Sequence, residues 1–404
     1  MKITKNTIFQ YISIFILIFS TDTFVTFANK NENIRTTFFI LTLFLLLYIL
    51  MFKYIRLSRT KIQIWLLMIL SILCCMVINM DIGHGNIYII FLLAFGMILS
   101  SVITYDDFKK VFINIMVIIC TFSLILYVFT GIIIRYYSYF PIITNIRGTQ
   151  VICFGVSNVC RFIDEIPRNY GPFWEPGVYA IYLCIALIFS LRAGKPITKR
   201  EIILMLGVLT TFSTAGIIIL FIIFFDYAYI QHIFYRDRTR KNVAQKNNHF
   251  KIIFVVITIA LAVFAFTNYN IRLVVFSKFL KQDYRYSSTL ARLTSISGNL
   301  YIWLEHPLFG SGPSKLESLY LSYLRERGYA ANSNTNGFLI HFSMYGIING
   351  ILYTYCLYHF INLVRQKKTS KLIIFIIFLM MMSTEPLMLS AFFNTIPFYG
   401  INKR

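Results

Sequence analysis

Between Lys110 and Arg135 the chain reads VFINIMVIICTFSLILYVFTGIII, residues 111–134, without one charged side chain. That run exceeds the ~20 apolar residues an α-helix needs to cross a hydrocarbon core, and it places the chain in a membrane. Composition agrees. Of 404 residues 58% are apolar, 17% aromatic and only 13% charged, too little polar surface to cover a soluble domain. Mean hydropathy is +0.70. The chain therefore reads as a polytopic helical membrane protein.

Working outward from that run, apolar stretches recur at Ile8–Phe27, Thr36–Phe52, Ile62–Ile78, Asn86–Ile103, Val111–Ile134, Glu175–Leu191, Ile202–Phe212, Gly216–Ile230, Ile252–Thr267, Gly337–Phe360 and Leu372–Leu389. Basic residues alternate between connections: Lys2/Lys5, Lys53/Arg56/Arg59/Lys61, Lys109/Lys110, Arg192 to Arg200, Arg236 to Lys251 and Arg365 to Lys371. These connections define the cytoplasmic side. The stretch from Ile202 to Phe234 reads as a tight hairpin turning at Ser213-Thr214-Ala215-Gly216, because one crossing would strand a basic cluster outside. Such a turn is tolerated only where protein or a water-filled cavity satisfies its free backbone groups. Pro386 and Pro397 break the last apolar stretch, and Lys403/Arg404 end outside unless Leu387 to Tyr399 folds back.

The expected fold class is all-α, a polytopic transmembrane helical bundle of about 11–12 spans with two long extracytoplasmic loops. The divisions are N-terminal spans 1–134, first loop 135–174, central spans with the hairpin 175–269, large loop 270–336 and C-terminal spans 337–404. Leu316 to Arg327 reads as a surface helix. No internal repeat is visible. Ile8 to Phe27 is too long for the apolar core of a cleavable signal and reads as the first span. Of seven cysteines, Cys74, Cys75, Cys120, Cys184 and Cys356 lie in apolar runs as small hydrophobes. Cys153 and Cys160 share a polar loop, where spacing alone does not establish a bridge.

A formal charge of +22, from 38 Lys+Arg against 16 Asp+Glu, would suggest nucleic acid in a soluble protein. Here the placement argues otherwise. The two outer loops carry Arg135, Arg147, Arg161, Arg168, Arg272, Lys278, Lys281, Arg285, Arg292, Lys315, Arg325 and Arg327 on the face where few basic residues are expected. Arginines beside apolar spans suit a phosphate or pyrophosphate held by forked, permanently charged donors. Snorkelling to lipid head groups is the alternative for any single one.

Three strings stand out. The first is Arg168-Asn-Tyr-Gly-Pro-Phe-Trp-Glu175-Pro176-Gly177, in which proline, glycine and aromatics suit a helix start at the interface. Glu175 is not explained by that; it can pair with Arg168 or Arg161, or accept a hydroxyl proton. The second runs from Arg292 through Trp303 and His306 to Pro307-Leu-Phe-Gly310-Ser-Gly312. The third is Asn332-Ser-Asn334-Thr-Asn336-Gly-Phe-Leu-Ile-His341, continuing to Gly346. Tyr170, Trp174, Trp303 and Tyr329 offer sugar-stacking surfaces or interfacial anchors. His306, before a proline, reads as a loop residue.

In order, sidedness and spacing, these strings make residues 161 to 350 resemble the O-antigen and capsule polymerase/ligase superfamily of bacterial envelopes. The resemblance implies an oligosaccharide repeat unit polymerase in the bacterial cytoplasmic membrane, joining undecaprenyl-pyrophosphate-linked units on the outer face. The transfer would be inverting and metal-independent, without cofactor, and would serve capsule, O-antigen or exopolysaccharide. Arg161 or Arg168, with Arg292, would clamp the pyrophosphate. Glu175 and His341, with Arg292, would carry the chemistry, and Trp174, Trp303, Asn334 and Asn336 would bind sugar. Implied partners are the bilayer, a chain-length regulator and a flippase, with no nucleic acid. Members of that superfamily often place a histidine at the Asn-rich span start, whereas His341 comes more than a turn later. Its alternative role is a satisfied helix histidine.

Two rivals within reach are ligase-type transfer to another acceptor and a lipid-linked oligosaccharide flippase. Transporters tend to show paired halves and midplane charges, and neither is evident. A metal-dependent transferase would want paired acids in an early outer loop, where Ala28 to Arg35 holds only Glu32.

Overall fold

The computed structural model describes residues 4–28, 32–53, 55, 57–144, 149–161, 167–191, 196–236, 286–329, 333–365 and 368–401. The expected span Ile252–Thr267, with Arg147, Arg272, Lys278, Lys281, Arg285 and Asn332, lies outside the described residues. What is described is a helical bundle. Among those residues four helices are long and apolar enough to cross a membrane: α3 (Arg59–Asn79), α4 (His84–Val102), α5 (Tyr105–Val128) and α12 (Ile340–Val364). Around them stand α1 (Lys5–Phe19), α2 (Glu32–Phe52), α6 (Thr130–Arg135), α7 (Pro176–Ser190), α8 (Lys199–Thr210), α9 (Thr214–Arg236), α10 (Tyr286–Glu305), α11 (Pro313–Glu326), α13 (Lys368–Thr384) and α14 (Ala391–Tyr399).

The centre is α7, buried on every side from Pro176 to Phe189. A helix apolar all round is buried all round, and α5, α8 and α9 enclose this one. The short α14 is likewise wholly buried. It lies against α4 where Gly96 lets the Asn394–Thr395 backbone approach; a β-carbon there would sit 2.7 Å from the Asn394 carbonyl oxygen. Phe392 of α14 stacks on Phe112 of α5 with ring centroids 4.9 Å apart. The segment Leu387 to Tyr399 thus returns into the bundle as a 3₁₀ turn and a helix.

Two departures from the sequence reading bear on the site. The run Ile8–Phe27 is not one continuous helix. Its α-helix ends at Phe19 and a single π-helical turn follows at Phe24–Ala28. The break falls on Ser20-Thr21-Asp22-Thr23, where Asp22 Oδ2 accepts hydrogen bonds from the Tyr182 and Ser390 hydroxyls and Thr21 Oγ1 accepts from Ala391 N. The fold is also not purely helical. Strands β1 (Ile142–Thr144), β2 (Gln150–Cys153) and β3 (Asn158–Cys160) form a small antiparallel sheet in the 135–174 connection. Cys153 faces Asn158 and Cys160 faces Val151, so the two residues sit on a diagonal of the ladder and are not joined by a disulfide.

A second break organises the large connection. Gly346 interrupts α12 with φ 79° and ψ −177°, which frees carbonyls that a continuous helix would bond internally. The string Pro307-Leu-Phe-Gly-Ser-Gly312 takes them up. Ser311 N donates to Ser343 O at 2.9 Å, Gly312 N to Met344 O at 3.0 Å, and Ile347 N returns a bond to Pro307 O at 2.9 Å. Past Gly312, α11 is fastened to the α3–α4 connection: Asp81 accepts from Ser314 N at 2.9 Å and Ser314 Oγ at 2.6 Å. Leu316, Tyr320, Tyr323 and Leu324 turn its apolar face inward.

Candidate functional site

The segment leading to α7 is pinned from both sides. Asn169 N donates to Thr210 O at 2.9 Å, and Asn169 Nδ2 donates to Ser123 Oγ and Thr210 Oγ1. Gly171 adopts φ +49°, and a β-carbon on it would meet the Tyr179 ring at 2.8 Å, so the position needs glycine on both counts. These contacts fix Arg168, whose Nε donates to Thr211 O at 3.0 Å and whose guanidinium is only partly exposed. They also fix Glu175 as the residue capping α7, in extended conformation and with no side-chain bond to its own helix.

That freed carboxyl meets Glu385, a residue the sequence reading did not single out. Glu385 follows α13 in a chain break, before Pro386. Leu387 N donates to Glu385 O at 2.8 Å across Pro386 at φ −77° and ψ 65°, an inverse γ-turn. Gly337 makes the room: a β-carbon on it would lie 2.7 Å from Leu387 N. Gly177 does the same for the side chain, since its β-carbon would lie 2.2 Å from Glu385 Oε1. The carboxyl of Glu385 thereby rests over the first turn of α7, with the residue only 3% exposed.

Four ionisable groups converge here. Arg292 Nη2 of α10 stands 3.7 Å from Glu385 Oε1, with 27% of the Arg292 side chain exposed. Glu175 and Arg168 also act electrostatically on this carboxyl. Arg168 and Arg292 are each partly exposed, whereas Glu385 is buried.

The other expected residues have contacts of their own. Arg161 Nη1 bonds Gln150 Oε1, and its guanidinium lies 4.1 Å from the Tyr137 ring centroid, tying it to the small sheet. Trp174 is 7% exposed and stacked on Phe27 at 4.8 Å, which covers a ring face. Trp303 Nε1 donates to Pro307 O at 3.2 Å and its ring packs edge-on against Phe342. Asn334 pairs reciprocally with Asn299 of α10 at 2.8 and 3.1 Å. Asn336 Oδ1 accepts from Phe338 N and Leu339 N and so starts the turn into α12. His341 is 2% exposed; it stacks on Tyr353 at 3.9 Å and its Nδ1 lies 3.4 Å from Asn349 Oδ1. The Asn-rich string thus aligns α10 with α12, which holds Arg292 where it meets Glu385.

One further surface adjoins the cluster. Along α10, Leu293, Ile296, Leu300 and Leu304 are 58, 44, 41 and 66% exposed and recur at helical spacing beside Arg292. Among the described residues no group of histidine, cysteine and acidic side chains could hold a metal ion. No family model, curated protein or solved structure matches this chain.

Proposed function

We propose that this chain is a membrane glycosyltransferase that joins polyprenyl-pyrophosphate-linked oligosaccharide repeat units on the outer face of the bacterial cytoplasmic membrane. The observation that carries the reading is the meeting of Arg168 and Arg292, from segments more than a hundred residues apart, around one buried carboxyl. Two guanidiniums suit a diphosphate. The exposed apolar row on α10 beside Arg292 gives the polyprenyl chain a surface continuous with the membrane.

A pyrophosphate leaves without protonation, so the demand on the protein is to stabilise charge growing on its oxygens as the anomeric bond breaks. Preorganised donors at the edge of an apolar medium meet that demand, and removing one commonly costs ~3 kcal/mol, on the order of a hundredfold in rate. Thr211 O holds Arg168 Nε and so aims the remaining nitrogens. Glu385 holds Arg292. Arg168→Ala and Arg292→Ala should each leave the chain in the membrane while single-repeat lipid intermediates accumulate. Polymer of normal length in both variants would refute the clamp.

A further inference from the structure

The candidate site draws on two stretches far apart in the chain, and both are fastened to the break in the first apolar run. Thr23 and Thr26 turn their hydroxyls back to Phe19 O at 3.2 and 3.1 Å. This satisfies one of the last carbonyls of α1 and leaves the backbone beyond it to bond elsewhere. On one side Phe24 N donates to Pro172 O at 2.9 Å, Thr23 forms an antiparallel bridge with Phe173, and Phe27 stacks on Trp174. Arg168 and Glu175 flank that stretch. On the other side Ala391 N donates to Thr21 Oγ1 at 3.0 Å, and the Ser390 hydroxyl donates to Asp22. Pro386 and the 3₁₀ turn Leu387–Leu389 separate Ser390 from Glu385, which holds Arg292. Asp22 closes the joint, because Tyr182 of α7 donates to the same Oδ2 that takes Ser390.

We propose that this joint, with Asp22 at its centre, fixes the separation of Arg168 and Arg292 and thereby makes the clamp prefer a diphosphate to a monophosphate. This rests on the diphosphate reading above. A single phosphate is held by whichever guanidinium it meets, and the distance to the second matters little. A diphosphate engages both only when their separation matches its two phosphoryl groups. The second contact then forms within a complex already made, and its strength depends on geometry.

The chemistry of the joint suits that task. Asp22, Thr23 and Ser390 are buried, so water does not compete for their bonds. Bonds from hydroxyls to a carboxylate are about twice as strong as neutral ones, and they are directional where apolar packing would let the two stretches slide. The Asn169 contacts with Ser123 and Thr210 hold the Arg168 arm. Residues 21 to 24 are where that arm and the Glu385 arm are tied to one piece of backbone. Asp22 is thus a positioning residue, acting through Ser390 on one arm and through its neighbours Thr23 and Phe24 on the other.

The test uses the full chain in lipid nanodiscs, with undecaprenyl pyrophosphate and undecaprenyl monophosphate, both without glycan, as binding probes. The wild-type chain should bind the pyrophosphate more tightly. Asp22→Ala unties Ser390 from α7 and should lower that preference by roughly 10–100-fold, since a ~1 Å misplacement in an oriented site costs up to ~10²-fold. Its monophosphate affinity should change little. Asp22→Asn keeps the shape and one acceptor oxygen, and should keep part of the preference. Ser390→Ala cuts the tie on the Glu385 arm while Asp22 keeps Tyr182, and should also lower the preference; it carries the test if Asp22→Ala does not reach the membrane. A merely structural Asp22 reduces the amount of competent protein and scales both probes alike. A pyrophosphate-to-monophosphate ratio unchanged in Asp22→Ala, or in Ser390→Ala where that variant carries the test, therefore overturns the proposal. That outcome leaves the clamp standing if Arg168→Ala and Arg292→Ala each lose the pyrophosphate. A wild-type chain that binds the two probes equally, or binds neither, overturns clamp and joint together.

Discussion

Replacing Gly346 by alanine tests the joint between α12 and the Pro307–Gly312 string. At φ 79° and ψ −177° the residue occupies a region essentially reserved for glycine, which costs another residue ~1–3 kcal/mol. Space adds to this. The new methyl would lie 2.0 Å from Leu308 O and 2.3 Å from Leu308 C, both backbone atoms, against the ~3.5 Å that carbon contacts need. The string must therefore withdraw, and the bonds Ser311 N to Ser343 O, Gly312 N to Met344 O and Ile347 N to Pro307 O stretch or break. At ~0.5–1.5 kcal/mol each, the total comes to roughly 3–7 kcal/mol, beyond the ordinary range of a point substitution. Thermal unfolding of the detergent-purified chain should shift down by roughly 6–14 °C, taking ~2 °C per kcal/mol for a large chain. Gly131 in α6 is the control, since a β-carbon there meets nothing within 4 Å and its φ is ordinary. Gly131→Ala should leave the midpoint unchanged or slightly higher, because alanine favours a helix over glycine by ~1 kcal/mol. If both variants melt alike, the break in α12 and its partner string are wrong as drawn.

Two more predictions concern neighbouring contacts. Asp81→Asn should loosen α11 by ~1.5–3 kcal/mol through loss of charge-assisted bonds from Ser314 and Gly83. Burial raises the Asp81 carboxyl, but the Ser314 hydroxyl and amide, the Gly83 amide and Lys315 outweigh it and hold it below the ordinary range. The stabilisation is then whole above the unfolded value of ~3.9 and decays as pH falls through the lower folded value. Melting curves between neutral and acid pH should show that loss in the native chain and not in Asp81→Asn. Gly177→Ala should displace the Glu385 carboxyl, whose Oε1 would be 2.2 Å from the added carbon, and break its pairing with Arg292. Polymer synthesis should fall with little change in melting, and adding Glu385→Asp, one methylene shorter, should restore part of it; no rescue would mean that the two positions are not coupled.

The long apolar helices were legible because an uninterrupted run of the right length has few alternatives. Arg168, Arg292 and Glu175 were legible as candidates. Glu385 was not. It stands in an apolar stretch before a proline that reads as a helix breaker, although an acid in such a stretch is itself a functional signal. Its partner lies 210 positions away, and no local pattern joins Glu175-Pro176 to Glu385-Pro386. The string Pro307–Gly312 was visible as a signature, but its role depends on carbonyls freed at Gly346, a tertiary fact. Trp174 and the asparagines look the same in sequence whether they hold sugar or helices. Ser20–Thr23 was overlooked as a break because the apolar residues on both sides outweigh four small polar ones.

The union of Glu175 with Glu385 also sets when the chain becomes competent. During synthesis Arg168 and Glu175 emerge first, and the ribosome needs roughly 10–40 s to add the intervening residues at 5–20 per second. Until the last helices insert, the half-built protein has arginines that can touch lipid phosphates but lacks the buried carboxyl that joins them. On the proposed function, nascent chains are thereby kept from spending activated glycan before they are whole.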